Sequence, residues 1–301
     1  MAFTAALDIG GTSLVAGLVR RDFVVQRRLE RPAPAAADEV ISASIALLGE
    51  VIGDDSIDAI GIGSPGTIHP IDGLVVASDS KPEYEGAAIG PRIGDHFNVP
   101  YAVTNDVNAA GVGELAHGAA QGFSRVLVVS IGTGIGGALL INGRIEEGLH
   151  GTAGEIGHLL VGAHGVHPCG CGRSDHLEAV ASGPAIEARY AAETGEQALS
   201  LAALAARAED DDLIAARVID DAATWLGRAV AGVGNALDID LLLLTGGVSG
   251  IGPRYTDRVA QAFHGEVMKP LREVPVLLGA LRGDAPLIGA ATYVRARLGI
   301  D

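Results

Sequence analysis

The reading of this chain rests on Asp8-Ile9-Gly10-Gly11-Thr12 and on a second stretch of the same design, Ser130-Ile131-Gly132-Thr133-Gly134-Ile135-Gly136-Gly137. Each follows a short apolar run, Ala5 to Leu7 and then Val126 to Val129. Each leads into another, Leu14 to Val19 and then Ala138 to Ile141. Apolar runs of this length around glycines predict two strands joined by a tight turn. Such turns expose backbone N–H groups with no side chain in the way, which suits phosphate. One in each half predicts a polyphosphate gripped from two sides.

Two ordinary glycine hairpins are the simplest competitor, and the repetition, Asp8 and the threonines weigh against it. Gly132, Gly134 and Gly137 formally fit G-x-G-x-x-G. A dinucleotide fold, however, needs a helix directly after the glycines. Here Ala138 to Ile141 is too short for one and ends at Asn142-Gly143, a type I′ hairpin signal. A P-loop needs Gly-Lys-Ser/Thr, and neither turn holds a lysine.

The 301 residues suffice for two domains with sizeable cores. Hydrophobic residues make up 48% and aromatics only 4%, so the cores must be built from Ala, Val, Leu and Ile. The net charge of −16 argues against nucleic-acid and anionic-membrane partners, both of which select basic surfaces. No apolar stretch is long enough to span a bilayer, and no signal peptide is visible. Cys169 and Cys171 are too close for an ordinary disulfide and fit a reduced, cytoplasmic setting.

Along the chain, strands are expected at 5–8, 14–19, 24–31, 59–62 and 101–103, with helices at 38–52 and from Asp106 to about 117. Asp38 is the expected N-cap of the first helix. A Gly/Pro-rich loop is expected from Ser64-Pro65-Gly66 to Pro100. The second half repeats the opening, with strands at 126–130, 138–141 and 144–147. Helices are expected at 184–193, 201–208 and 213–237, strands at 241–244 and 274–278, and helices from Pro253 and over 286–298. This is an α/β chain with a pseudo-repeat. Ligands of open α/β sheets sit at strand carboxyl ends, where Asp8, Asp106, Ser130 and Thr245 fall.

Together with Asn105-Asp106-Val107-Asn108-Ala109-Ala110, Gly154-Glu155-Ile156-Gly157-His158, Cys169-Gly170-Cys171-Gly172, Leu177-Glu178 and Ser182-Gly183, the two turns resemble the ROK family of sugar kinases over nearly the whole chain. The resemblance is strongest to bacterial ROK glucokinases. It implies the actin-like ATPase (ribonuclease H-like) fold, with two lobes and a cleft between them. The lobes are expected at 1–117 and 118–285, with a last helix over 286–301 packing back on the first. Lobe closure is expected to exclude water from the transferred phosphoryl group.

The resemblance also implies ATP, or polyphosphate, as donor, Mg²⁺, and structural Zn²⁺. It implies a hexose acceptor, most closely glucose, an N-acetylhexosamine or fructose being the alternatives, and a homodimer or higher homo-oligomer. Asp106 is the expected general base. Asp8, Gly10, Gly11 and Thr12 on one side, and Thr133, Gly134, Gly246 and Gly247 on the other, are the expected nucleotide and Mg²⁺ contacts. Ser64, Pro65, Gly66, Asn105, Asp106, Glu155, His158 and Glu178 are the expected sugar contacts. Taken singly, Asp106 also fits a helix N-cap, and Glu155 and Glu178 fit solvated surface carboxylates.

The family's zinc is held by one His and three Cys. The first three match His158, Cys169 and Cys171. Where the family has Gly-Cys, this chain has Asp175-His176. Zinc accepts Cys₂His₂ as well as Cys₃His, so His176 is the expected fourth ligand, with His164 and His167 as alternatives. The family also includes sugar-responsive repressors, which carry an N-terminal helix-turn-helix. With the first turn starting at Asp8 and the chain acidic, that reading is not expected here, nor is a sugar-binding protein without catalysis, since Asp8, Asp106 and Thr133 are present.

Overall fold

The computed structural model describes residues 3–78, 81–162 and 165–300. The contacts divide the chain into two units. Unit 1 holds Met1–Gly122, Ala138–Ala153 and Gly279–Asp301; unit 2 holds Phe123–Gly137 and Gly154–Leu278.

Unit 1 begins with β1 (Phe3–Ile9), β2 (Ser13–Val19) and β3 (Val25–Pro32), followed by helix α1 (Ala37–Ile52) and β4 (Ile57–Ser64). A small two-stranded ribbon, β5 (Thr67–Ile68) and β6 (Val75–Ala77), precedes α2 (Ile89–Phe97), β7 (Tyr101–Asn105) and α3 (Asp106–His117). The sheet order is β3-β2-β1-β4-β7, antiparallel through β1 and parallel from β1 to β7. The first turn therefore closes the β1–β2 hairpin, and Asp8 pairs with Gly63 across the parallel strands. The central strands are buried on both faces, as the unbroken apolar runs require.

The second sheet repeats this order. Its strands are β8 (Arg125–Ile131), β9 (Ile135–Ile141), β10 (Arg144–Glu146), β11 (Leu241–Thr245) and β12 (Val276–Leu278), ordered β10-β9-β8-β11-β12. β11 runs parallel to β8 and β12, placing Thr245 beside Ser130. Asn142 and Gly143 both have positive φ (52° and 79°), the conformation a type I′ turn needs. Residues Ala138–Ala153, which include most of β9 and all of β10, group with unit 1 rather than with the strand before them.

The helices of unit 2 are α4 (Leu177–Ala181), α5 (Gly183–Thr194), α6 (Leu201–Glu209), α7 (Leu213–Leu237) and α8 (Pro253–Glu266). Asp212 caps α7 by accepting the N–H groups of Ile214 and Ala215. The last helix, α9 (Ala285–Leu298), belongs to unit 1 and crosses α3 at very short range. A Cβ on Gly113 would lie 2.5 Å from the Ala285 carbonyl oxygen, and one on Gly61 would lie 2.1 Å from that of Ala290. Small residues here let helix backbones sit directly on the sheet and on each other.

Three local expectations are corrected. Ala36, not Asp38, is the N-cap of α1, and it caps without a side-chain bond; Asp38 lies in the first turn and pairs with Arg92. The loop expected up to Pro100 contains α2. Its Gly90, Pro91 and Gly94 disfavour helix locally, but Pro91 lies in the first turn, where its missing N–H costs nothing. Gly90 and Gly94 make room for the Tyr101 ring, 2.7 Å and 2.2 Å from where their Cβ atoms would be. Finally, β9 starts at Ile135 rather than Ala138, so Gly136 and Gly137 are strand residues.

Candidate functional site

In unit 1 the carboxyl ends of β1, β4 and β7 lie side by side. Asp8 comes from β1 and Asp106 from the first position of α3, directly after β7. Gly63 of β4 lies between them. A methyl placed on it would be 3.4 Å from the Asp106 Cα and 3.5 Å from an Asp8 carboxylate oxygen. Gly63 was not singled out from sequence. The available signal was a glycine inside a buried strand, which marks close approach of other groups. Burial, and then the neighbouring charge of Asp106, push the Asp8 pKa up from 3.8 to about 7; Arg28 offsets this in part.

The N-cap of α3 is Asn105. Its Oδ1 accepts the N–H groups of Val107 (2.9 Å) and Asn108 (3.2 Å). Its Nδ2 donates to the Gly66 carbonyl at 3.1 Å. Asn105 therefore ties the Ser64-Pro65-Gly66 turn to the helix that carries Asp106. The capping role weighed for Asp106 thus falls mainly to its neighbour, although Asp106 also accepts the Val107 N–H at 2.9 Å. Ser64 is fully buried, with its hydroxyl turned to the Pro65 carbonyl. The first turn itself is closed by the Gly10 N–H donating to the Ser13 carbonyl (2.8 Å), and Gly11 and Thr12 are exposed.

Thr104, one residue before Asn105, donates to Glu147 at 3.2 Å, and the Tyr293 hydroxyl donates to the same carboxylate at 3.0 Å. Glu147 thus anchors the end of β7 to α9. Sequence reading singled out neither Glu147 nor Tyr293, since no motif marks residues this far apart in the chain.

In unit 2 the second turn is braced on several sides. Gly183, at the start of α5, donates its N–H to the Gly132 carbonyl at 2.9 Å. Glu178 of α4 accepts the Ile135 N–H at 3.1 Å. The Gly154–His158 segment packs behind β9, where Cβ atoms on Gly137 and Gly157 would lie 2.6 Å and 2.1 Å from the carbonyl oxygens of Gly154 and Ile135. Glu155, His158 and Glu178 are each half-buried. Gly246 has φ +86° and backs onto Ile131, just before the turn, while Gly247 is exposed.

His158, Cys169, Cys171 and His176 form one cluster, each offering a ligand atom within 4.8 Å of all the others. The Nδ1 atoms of His158 and His176 are 3.3 Å apart, and Cys171 Sγ is 3.3 Å from His176 Nδ1. A tetrahedral zinc with bonds of about 2.0–2.1 Å to nitrogen and 2.3 Å to sulfur gives edges of about 3.3 Å between nitrogens and about 3.6 Å between nitrogen and sulfur. The donor set and its spacing therefore fit zinc. Burial raises the Cys169 thiol to about 11. Of the alternatives, His167 is exposed and joins the fold through its backbone N–H to Asp175, and His164 lies outside the described residues. Asp175 has φ +60°, and its carboxylate accepts the N–H groups of Gly165, Val166 and His167, pinning the loop beside the cluster. Among the described residues, no helix is long and apolar enough to cross a membrane.

The chain belongs to the ROK family, whose model matches residues 4–297. It is 30% identical to the glucokinase of Halalkalibacterium halodurans, over 96% of this chain and 94% of that one. It is 31% identical to the N-acetylmannosamine kinase of Yersinia pseudotuberculosis, over 97% and 98% of the two chains. Its fold matches a ROK glucokinase from Streptomyces griseus, solved with glucose and AMPPNP, with a TM-score of 0.86 and 27% identity over 98% of this chain and 100% of that one. The fold is the actin-like ATPase fold of the ROK sugar kinases.

Proposed function

We propose that the protein is an ATP-dependent hexose kinase that phosphorylates the 6-hydroxyl of glucose. The observation that carries this reading is the placement of Asp8 and Asp106 on either side of Gly63, at the carboxyl ends of parallel strands. Such a pair provides a carboxylate for the reacting hydroxyl and one for a phosphate-bound cation. Similarity to both a glucokinase and an N-acetylmannosamine kinase supports the coarser class, a sugar kinase.

In this mechanism Asp106 accepts the proton of the sugar hydroxyl as its oxygen bonds to the γ-phosphorus and the bond to the β-phosphate oxygen breaks. Asn105 holds the helix that carries Asp106. Glu155, His158 and Glu178 orient the sugar by accepting from and donating to its other hydroxyls. The N–H groups of Gly11 and Thr12, in the turn that Gly10 closes, and those of Thr133 and Gly134 hold phosphate oxygens, and Gly246 and Gly247 border the adenosine. Asp8 would hold Mg²⁺, which when bound would offset phosphate charge and oppose the burial, and then the Asp106 repulsion, that raise the Asp8 pKa. His158, Cys169, Cys171 and His176 hold structural Zn²⁺, which orders the loop carrying His158 and Glu178. We assign the lobes as 1–117 with the last helix, and 118–285, and expect a cytoplasmic homodimer or higher homo-oligomer.

A coupled assay across several hexoses and N-acetylhexosamines, with ATP and with polyphosphate, tests the reading. Turnover highest with glucose and ATP is the expected result. Activity only on N-acetylmannosamine would replace the substrate, and no turnover with any pair would overturn the function.

A further inference from the structure

In unit 2 one side chain touches both the second turn and the His/Cys cluster. Glu178 lies two residues after His176, at the start of α4. Its Oε2 accepts the Ile135 N–H at 3.1 Å, and its Oε1 lies 3.7 Å from Cys169 Sγ. Gly134 is shaped to this carboxylate: a Cβ there would lie 2.4 Å from Glu178 Oε2. The carboxylate occupies the space that a side chain at position 134 would need.

We propose that Glu178 is a positioning residue for the second phosphate turn, a strut through which the metal cluster sets the affinity for nucleotide. This rests on the kinase reading above and deepens it. Glu178 faces two ways: its charge serves the sugar, while its acceptor oxygen holds the Ile135 N–H that fixes the path of Thr133-Gly134-Ile135. The argument is geometric. A lone surface carboxylate would need neither a glycine opposite it nor a backbone donor from the turn. A hydrogen bond to a charged acceptor is strong enough that its loss from a buried donor is felt at the turn.

The test separates the two roles. Affinity for a non-hydrolysable ATP analogue, and for glucose, is measured by calorimetry on the zinc-loaded protein and on Glu178→Gln, Glu178→Ala and Gly134→Ala. Gln keeps an acceptor oxygen for Ile135 but loses the charge. Glu178→Gln is therefore expected to weaken glucose by about tenfold while leaving the analogue within about twofold. Glu178→Ala is expected to weaken both by about tenfold. Gly134→Ala is expected to weaken glucose as well as nucleotide, and the Gly134→Ala/Glu178→Ala pair to be less than additive, because the clash is then gone. Analogue binding to Glu178→Ala within twofold of wild type would overturn the proposal. So would an equal loss in Gln and Ala, which marks a purely electrostatic role. Wild-type protein that binds neither ligand would instead defeat the kinase reading, and zinc content and melting temperature of each variant identify general misfolding.

Discussion

A methyl group on Gly11 of the first turn would meet no atom within 4 Å, whereas one on Gly134 of the second would lie 2.4 Å from the Glu178 carboxylate and one on Gly137 2.6 Å from the Gly154 carbonyl oxygen. The two turns look alike in sequence and join equivalent strands of the two sheets. The first is open and closed by its own hairpin, with a carboxylate pair beside it. The second is held from behind by α4, α5 and the segment that carries Glu155 and His158, with a His/Cys cluster whose donor set fits zinc next in line. One turn therefore lies beside buried charge, and the other is braced by its surroundings.

The sharpest way to break this division is to remove the proposed base. Asp106→Asn is expected to lower kcat by about 10²- to 10⁴-fold in a coupled assay, with an unchanged circular dichroism spectrum. Near-normal turnover would move the chemistry away from unit 1. Next in size is metal removal. Elemental analysis is expected to give close to one zinc per chain; less than a tenth would defeat the metal assignment. Chelation should then cost about 4 kcal/mol of stability, if zinc is present at a thousandfold its dissociation constant, and should weaken both sugar and nucleotide. An unchanged melting curve after chelation would show that the second turn does not depend on the cluster.

A smaller effect compares the first turn with the strand that follows the second. Gly137→Ala is expected to destabilise by about 1–3 kcal/mol, because its methyl meets backbone that cannot rotate away. Gly11→Ala should leave the melting temperature unchanged, since its position is open and its φ is not positive. Equal losses would erase the distinction between an open and a braced turn.

The last comparison is one of pH. The folded protein holds the Asp8 proton more tightly than the unfolded chain does, with a pKa near 7 against 3.8. Stability from this residue is therefore greatest in acid and is lost as pH rises from about 4 through 7. Asp8→Asn, without cation or nucleotide, should melt higher than wild type at pH 8, by about 2–4 °C for each kcal/mol relieved. The gain should fall by more than half at pH 5. A gain independent of pH would mean that ionisation of Asp8 is not its source.

Much of this was legible in the chain itself. Unbroken apolar runs around glycines mark buried strands and their turns, and the Asn142-Gly143 pair marks the hairpin after them. Local chemistry decides such features, because glycine, asparagine and β-branched residues restrict or free their own backbone. Helix α2 was hidden because Gly90 and Gly94 lower its propensity, and only the Tyr101 ring packed against them explains the helix. The ligand types of the cluster were also readable, including His176, because donor chemistry is a property of the residue.

What the sequence alone determined is therefore the repeated strand-turn-strand plan, the two carboxylates at strand ends and a donor set suited to zinc. Only the tertiary structure decided that Asn105 reaches the Gly66 carbonyl, that Asp8 and Asp106 lie on either side of Gly63, and that Glu178 reaches the second turn. Those relations join residues distant in the chain through sheet register and helix packing. Hydrogen bonds and steric limits act over a few ångströms of space, whatever the distance along the chain.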